Sequence, residues 1–167
     1  MSSSLLACTH LLAASLTLHS ADLPHGFTRT NAGGSPSSYH VDFARATSAA
    51  GLQEGPLEVE SRAAVYPAPA GAHAALRRAI PKSAAGLAVG YRLGDEAHEY
   101  VVQLGSAVGA LLRYTIVWRE GVVEASVTVI GRVGVVSAAD LAPPARAQQK
   151  RILRAATPAR RSCPLRS

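Results

Sequence analysis

The chain of 167 residues is long enough for one domain with a real core and too short for two comfortable ones. Apolar residues make up 48% and charged residues 17%, which excludes a disordered composition; aromatics at 5% leave a core of closely packed small side chains. The net charge of +6 belongs to one end. Residues 1–142 hold all eleven acids and are close to neutral, whereas Arg146, Lys150, Arg151, Arg154, Arg160, Arg161 and Arg166 follow without an acid, so the basicity says little about the body's ligand.

In chain order, Ser4 to Leu18 is apolar or small apart from His10. That is the length of a signal-peptide hydrophobic region and short of the roughly 20 residues a bilayer span needs. Within it Leu5-Leu6-Ala7-Cys8 resembles a bacterial lipobox, which makes Cys8 a candidate lipid-attachment residue and membrane anchor. No Lys or Arg precedes it, so residues 1–21 read as a truncated signal or lipobox segment, or as an accidental string in an Ala/Leu-rich chain. Cys163 is the only other cysteine, and with no CxxC motif or Cys/His pair neither a disulfide framework nor a zinc site is expected.

Residues 20–38 are rich in Gly, Pro and Ser and read as a loop. A helix is expected from Tyr39 to Ala50, with Val41, Ala44 and Ser48 on one face and Gly51 as its terminator. Leu57 to Tyr66 alternates Leu57, Val59, Ala63 and Val65 with Glu58, Glu60 and Arg62, the pattern of a strand with one dry face. Ala70 to Ile80 carries Ala72, Leu76 and Ile80 as the stripe of a helix that Pro81 stops, with Arg77 and Arg78 facing out. After a turn-rich connection from Tyr91 to Ala97, His98 to Leu104 alternates again.

The strongest local signal is a β-hairpin of Ala110–Arg119 and Val122–Gly131 about Glu120-Gly121. Pairing across that loop sets Trp118 against Val123, Ile116 against Ala125, Tyr114 against Val127 and Leu112 against Val129, an entirely apolar face. A shift by one residue would bury Arg and Glu. Ser137 to Asp140 can cap a short turn, and a helix is expected from Ala145 to Ala155 with Gln148, Ile152 and Ala156 on one side; Pro143-Pro144 sets its start. The fold class is therefore α+β, an antiparallel sheet of about four or more strands with helices packed on one face. Residues 22–156 form the single domain and 157–167 a disordered basic tail.

Four short runs carry a resemblance: Asp22-Leu23-Pro24-His25-Gly26-Phe27, Gly94-Asp95-Glu96-Ala97, Val117-Trp118-Arg119-Glu120-Gly121 and Ala147-Gln148-Gln149-Lys150-Arg151-Ile152. From Asp22 to Leu153 the chain resembles a family of small, uncharacterised exported proteins and lipoproteins of high-GC Gram-positive bacteria. That family is in turn similar to PsbP-like folds and to the extracytoplasmic sensor domains of bacterial Ser/Thr kinases. The resemblance implies export and a curved sheet packed on helices, and it carries over no catalytic residue.

No catalytic constellation stands out. Gly105-Ser106-Ala107-Val108-Gly109 fails the nucleophile-elbow pattern, since its Ser directly follows the first Gly, and the glycines at 86, 90 and 94 lead into a strand, not a phosphate-binding helix. Asp95, Glu96, His98 and Glu99 are the densest polar cluster, but alternation sends His98 and Glu99 to opposite faces. Trp118, with Tyr100 and Tyr114 nearby, can line an apolar pocket between sheet and helices or can simply fill the core. The expectation is a non-enzymatic extracytoplasmic domain, without cofactor or metal, that binds a small apolar ligand or a cell-envelope protein. Two alternatives remain: a cytosolic domain whose Arg-rich tail binds nucleic acid, although interleaved aromatics are missing, and an enzyme with a site near Asp95–Glu99.

Overall fold

The computed structural model describes residues 11–46, 55–105 and 109–162, the last six of them as backbone only. Seven antiparallel strands form one sheet: β1 (Phe27–Ser35), β2 (Ser38–Arg45), β3 (Glu58–Val65), β4 (Ala85–Leu87), β5 (Glu96–Leu104), β6 (Leu111–Glu120) and β7 (Val123–Arg132). Their spatial order is β1-β2-β3-β7-β6-β5-β4. After the β1–β3 meander the chain crosses through α2 (Pro69–Ala79) to the far edge and walks back inward, so β7 lands beside β3. Helices α1 (Ala13–Leu16) and α3 (Ala142–Ser162) complete the α+β architecture.

The main core lies where α1 and α3 cover one sheet face. Phe43, Val59, Ile116, Trp118, Ala125, Val127 and Val129 from the strands meet Leu16, Leu141, Ala145 and Ile152 there, all buried. Each large side chain so buried stabilises by roughly 1.5–3 kcal/mol. A smaller cluster on the opposite face joins Leu76 of α2 to Val117 and Tyr100. The helical cover expected on one face is thus present, and α2 adds a partial layer on the other.

Residues 39–45 are strand, not the expected helix, and residues 27–35 are strand, not loop. Val41 and Phe43 both enter the core, two positions apart, which suits a pleat and would place them on different sides of a helix. The half-buried polar residues His40 and Asp42 complete a period of two that the single apolar spacing from Val41 to Ala44 obscured. Strand β1 has almost no buried residue and pairs on one side only, so no alternation marks it. The expected terminator Gly51 lies outside the described residues.

The hairpin exists with its dry face as expected, but its register differs by two residues. Trp118 pairs with Ala125, Ile116 with Val127, Tyr114 with Val129, and Glu120 with Val123. The loop is therefore Gly121-Val122, with Gly first at φ +57° and Val122 not at positive φ. This is the type II′ pattern, whereas centring the loop on Glu120-Gly121 would put Gly second. A shift of two preserves parity, so every side chain stays on its expected face.

Ser137 and Asp140 cap a 3₁₀ turn, Ala138–Leu141, through Ser137 N–H and Oγ donating to Asp140 Oδ2 at 2.8 and 3.1 Å. Helix α3 begins at Ala142, before Pro143-Pro144, because prolines in a first turn remove amides that have no intrahelical acceptor. It also runs to Ser162, past the Thr157 boundary set for the basic tail.

Candidate functional site

On the sheet face opposite α3, the part that α2 leaves open is a trough of about 630 Å³. Alternation along the strands fixes its floor: Glu60 and Arg62 on β3, Glu124, Ser126 and Thr128 on β7, Arg113, Thr115 and Val117 on β6, Tyr100 and Val102 on β5. The end of α2 and the following turn contribute Ala79, Pro81 and Ser83, and Tyr39, His40 and Tyr66 are among the other residues that line it. Most of the floor is therefore polar, with an apolar end beside α2.

Part of that polarity is internally satisfied. Arg113 Nη2 lies 3.4 Å from Glu60 Oε1, Thr115 and Thr128 join their hydroxyls at 3.0 Å, and the Tyr100 hydroxyl donates to the Ala79 carbonyl at 3.3 Å. Arg62 differs. It is exposed on a central strand, and its guanidinium makes no hydrogen bond to a described residue. Its nearby counter-charge is Glu124, whose carboxyl burial pushes above the usual range while Arg62 pulls it down. Burial also raises the phenols of Tyr66 and Tyr100, and the Glu124 carboxylate adds to both. The trough thus presents one open donor fork, an adjacent carboxyl and an apolar end.

The three residues expected to line an apolar pocket are divided by the sheet. Trp118 is fully buried on the α3 face, where its Nε1–H donates to Gln149 Oε1 at 2.6 Å, and Gln149 Nε2 in turn donates to Glu120 Oε2 at 3.0 Å. Tyr114 shares that face and packs on the same core. Tyr100 points to the other side and into the trough. No pocket formed by all three exists among the described residues, and an apolar ligand seated on Trp118 would have to enter the core. Cys8 lies outside the described residues, as do residues 106–108 of the failed nucleophile elbow.

Asp95, Glu96, His98 and Glu99 do not converge. Asp95 Oδ2 accepts from Arg119 Nη1 at 2.8 Å and from the Gly121 amide at 2.9 Å, tying the turn to the hairpin tip. Glu96 bridges His98 Nε2 at 3.0 Å and His73 Nδ1 of α2 at 2.8 Å. The His98 hydrogen bond is the largest influence on that carboxyl and, with His73, holds it below its usual range against a smaller effect of burial. Glu99 is buried on the opposite face, where burial raises its carboxyl and its Oε1 has no partner among the described residues. Beside it, burial and the Glu99 charge push the Tyr91 phenol up to about 12. Among the described residues no group of three or more His, Cys, Asp or Glu is placed to hold a metal ion.

Compared with known families, curated proteins and solved structures, the chain finds no match. The site is accordingly read from its own geometry. Sequence reasoning placed Glu60 and Arg62 on the wet face of a strand and did not connect them with Arg113 or Glu124. Only the adjacency of β3 and β7 brings them into one trough.

Proposed function

We propose that this is a non-enzymatic, extracytoplasmic binding domain whose trough takes a small zwitterionic molecule with an apolar substituent, of amino-acid or dipeptide size. One observation carries the ligand class: Arg62, exposed on a central strand, is without a hydrogen bond to any described residue and sits beside Glu124. A guanidinium fork matches a ligand carboxylate in two-point fashion, Glu124 answers an ammonium group, and Val102, Val117 and Ala79 receive the apolar part. The volume lies within the usual range for small-molecule sites. Export is supported by the sequence resemblance alone; no helix among the described residues is long and apolar enough to cross a membrane.

Thermal melts of the full chain against free amino acids and dipeptides test the ligand class. A compound at about 100 times its Kd stabilises by about 2.7 kcal/mol, or a rise in Tm of roughly 5–10 °C for a domain of this size. Arg62→Gln abolishes that rise while leaving the unliganded Tm nearly unchanged. A panel without any shift, or a shift that survives in Arg62→Gln, overturns the assignment. Cell fractionation that leaves the full-length protein wholly in the cytosol overturns the compartment.

A further inference from the structure

The outer side of α3 carries a second feature, remote from the trough. Arg146, Lys150 and Arg154 follow one another at intervals of four, so they stand in one row over about 12 Å of helix. Two shallow grooves flank the row and share all three cations. The first also has Arg92, contributed by the segment before β5, and the apolar side chains Leu93 and Leu153. Its lining contains no carboxylate. In the second groove the lone carboxylate, Asp22, is already engaged by Arg151 at 2.8 Å. Arg92, Lys150 and Arg154 are exposed and have no hydrogen bond or ion pair to a described residue, while Arg146 lies over the Tyr91 ring at 5.2 Å. Leu153, 47% exposed, stands amid these charges.

Holding four like charges around one groove costs self-repulsion unless an anion offsets it. Two grooves on either side of a shared row describe a ridge, too shallow and too long for a single phosphate. The exposed leucine among the cations matches the pattern of helices that lie in the headgroup layer, apolar atoms inward and Lys/Arg at the phosphates. We propose that the α3 ridge is a docking surface for an anionic lipid bilayer, with Arg92, Arg146, Lys150 and Arg154 meeting headgroup phosphates and Leu153 reaching toward the acyl boundary. This surface lies on the opposite side of the sheet from the trough and stands whether or not the trough binds a zwitterion.

Co-sedimentation of the full chain with vesicles tests it. Vesicles of phosphatidylcholine with phosphatidylglycerol at about 30 mol% should retain the protein, and phosphatidylcholine alone should not. Raising salt from about 0.05 M to about 0.5 M should release it, since these exposed charges are screened. Lys150→Gln/Arg154→Gln should weaken retention by about 25-fold, roughly five-fold for each charge near the surface, and Leu153→Gln a few-fold more. Arg77→Gln/Lys82→Gln removes the same charge from the opposite side of the sheet and should change retention little; circular dichroism confirms that each variant is folded. Equal loss in the two double variants, equal retention by neutral vesicles, or binding of tripolyphosphate or duplex DNA without vesicle retention would overturn the proposal.

Discussion

Gly94 and Gly121 have nearly the same backbone conformation, φ +53° and +57°, and very different surroundings. A Cβ on Gly121 would meet nothing within 4 Å. On Gly94 it would stand 2.1 Å from the Arg119 carbonyl oxygen and 3.1 Å from Trp118 Cδ1. Alanine at either position carries the left-handed penalty of about 1–2 kcal/mol, partly offset by the lower entropy of its unfolded chain. At Gly94 the clash must also be relieved by moving the turn off β6. That movement strains the 2.7 Å bond from the Asp95 amide to the Arg119 carbonyl, worth about 1 kcal/mol, and disturbs the Asp95 carboxylate bonds to Arg119 and Gly121. Gly94→Ala should therefore cost about 2 kcal/mol more than Gly121→Ala. With a urea slope of about 2 kcal/mol/M, its unfolding midpoint falls about 1 M lower. Fluorescence of Trp118, the chain's single and fully buried tryptophan, reports the transition. Equal midpoints for the two variants would refute the packing of the 94–95 turn against the hairpin.

The pH dependence of stability follows from the carboxyls. Glu99 and Glu124 have folded pKa values raised by burial, so their contribution is full below the unfolded value near 4.5 and is lost as pH rises through the folded value. Glu99→Gln should raise Tm at pH 7, and the gain should vanish as pH falls to about 4.5; a gain independent of pH would refute the cause. Asp22 acts in the opposite sense. Burial would raise it, but hydrogen bonds from Arg151 and the His19 amide prevail, so its stabilisation is lost as pH falls below 3.8. Gln148 is buried in the core layer, where its Oε1 accepts from Ser61 Oγ at 2.8 Å and its Nε2 donates to the Arg62 carbonyl at 2.7 Å. Gln148→Leu should destabilise by about 1–3 kcal/mol despite adding apolar surface, because both partners lose a bond; an unchanged chemical-denaturation midpoint would refute that network.

What was legible in the sequence was local and periodic. Glu58 to Val65, Pro69 to Ala79 and the dry face of the β6–β7 hairpin could be read because one side of each is apolar and the other carries most of the polar residues, so the side-chain pattern carries the period of the backbone. The side of α3 bearing Gln148 and Ile152 was legible for the same reason. Strand β1, at an edge with hardly a buried side chain, had no pattern to read. Strand β2 buries only Val41 and Phe43, too few to separate a period of two from a helical spacing.

The sequence by itself determined the fold class, the parity of the hairpin and the confinement of the excess charge to the last part of the chain. Tertiary structure alone decided the sites. Arg62 and Glu124 are 62 positions apart and meet because the crossover through α2 sets β7 beside β3. Arg92 meets the α3 row only when the helix packs down on the sheet. Trp118 and Tyr100 are separated because strands β5 and β6 present them to opposite faces. Periodicity is a property of neighbours along the chain; which strand lies next to which is fixed by burial of the whole core, and that is where these sites originate.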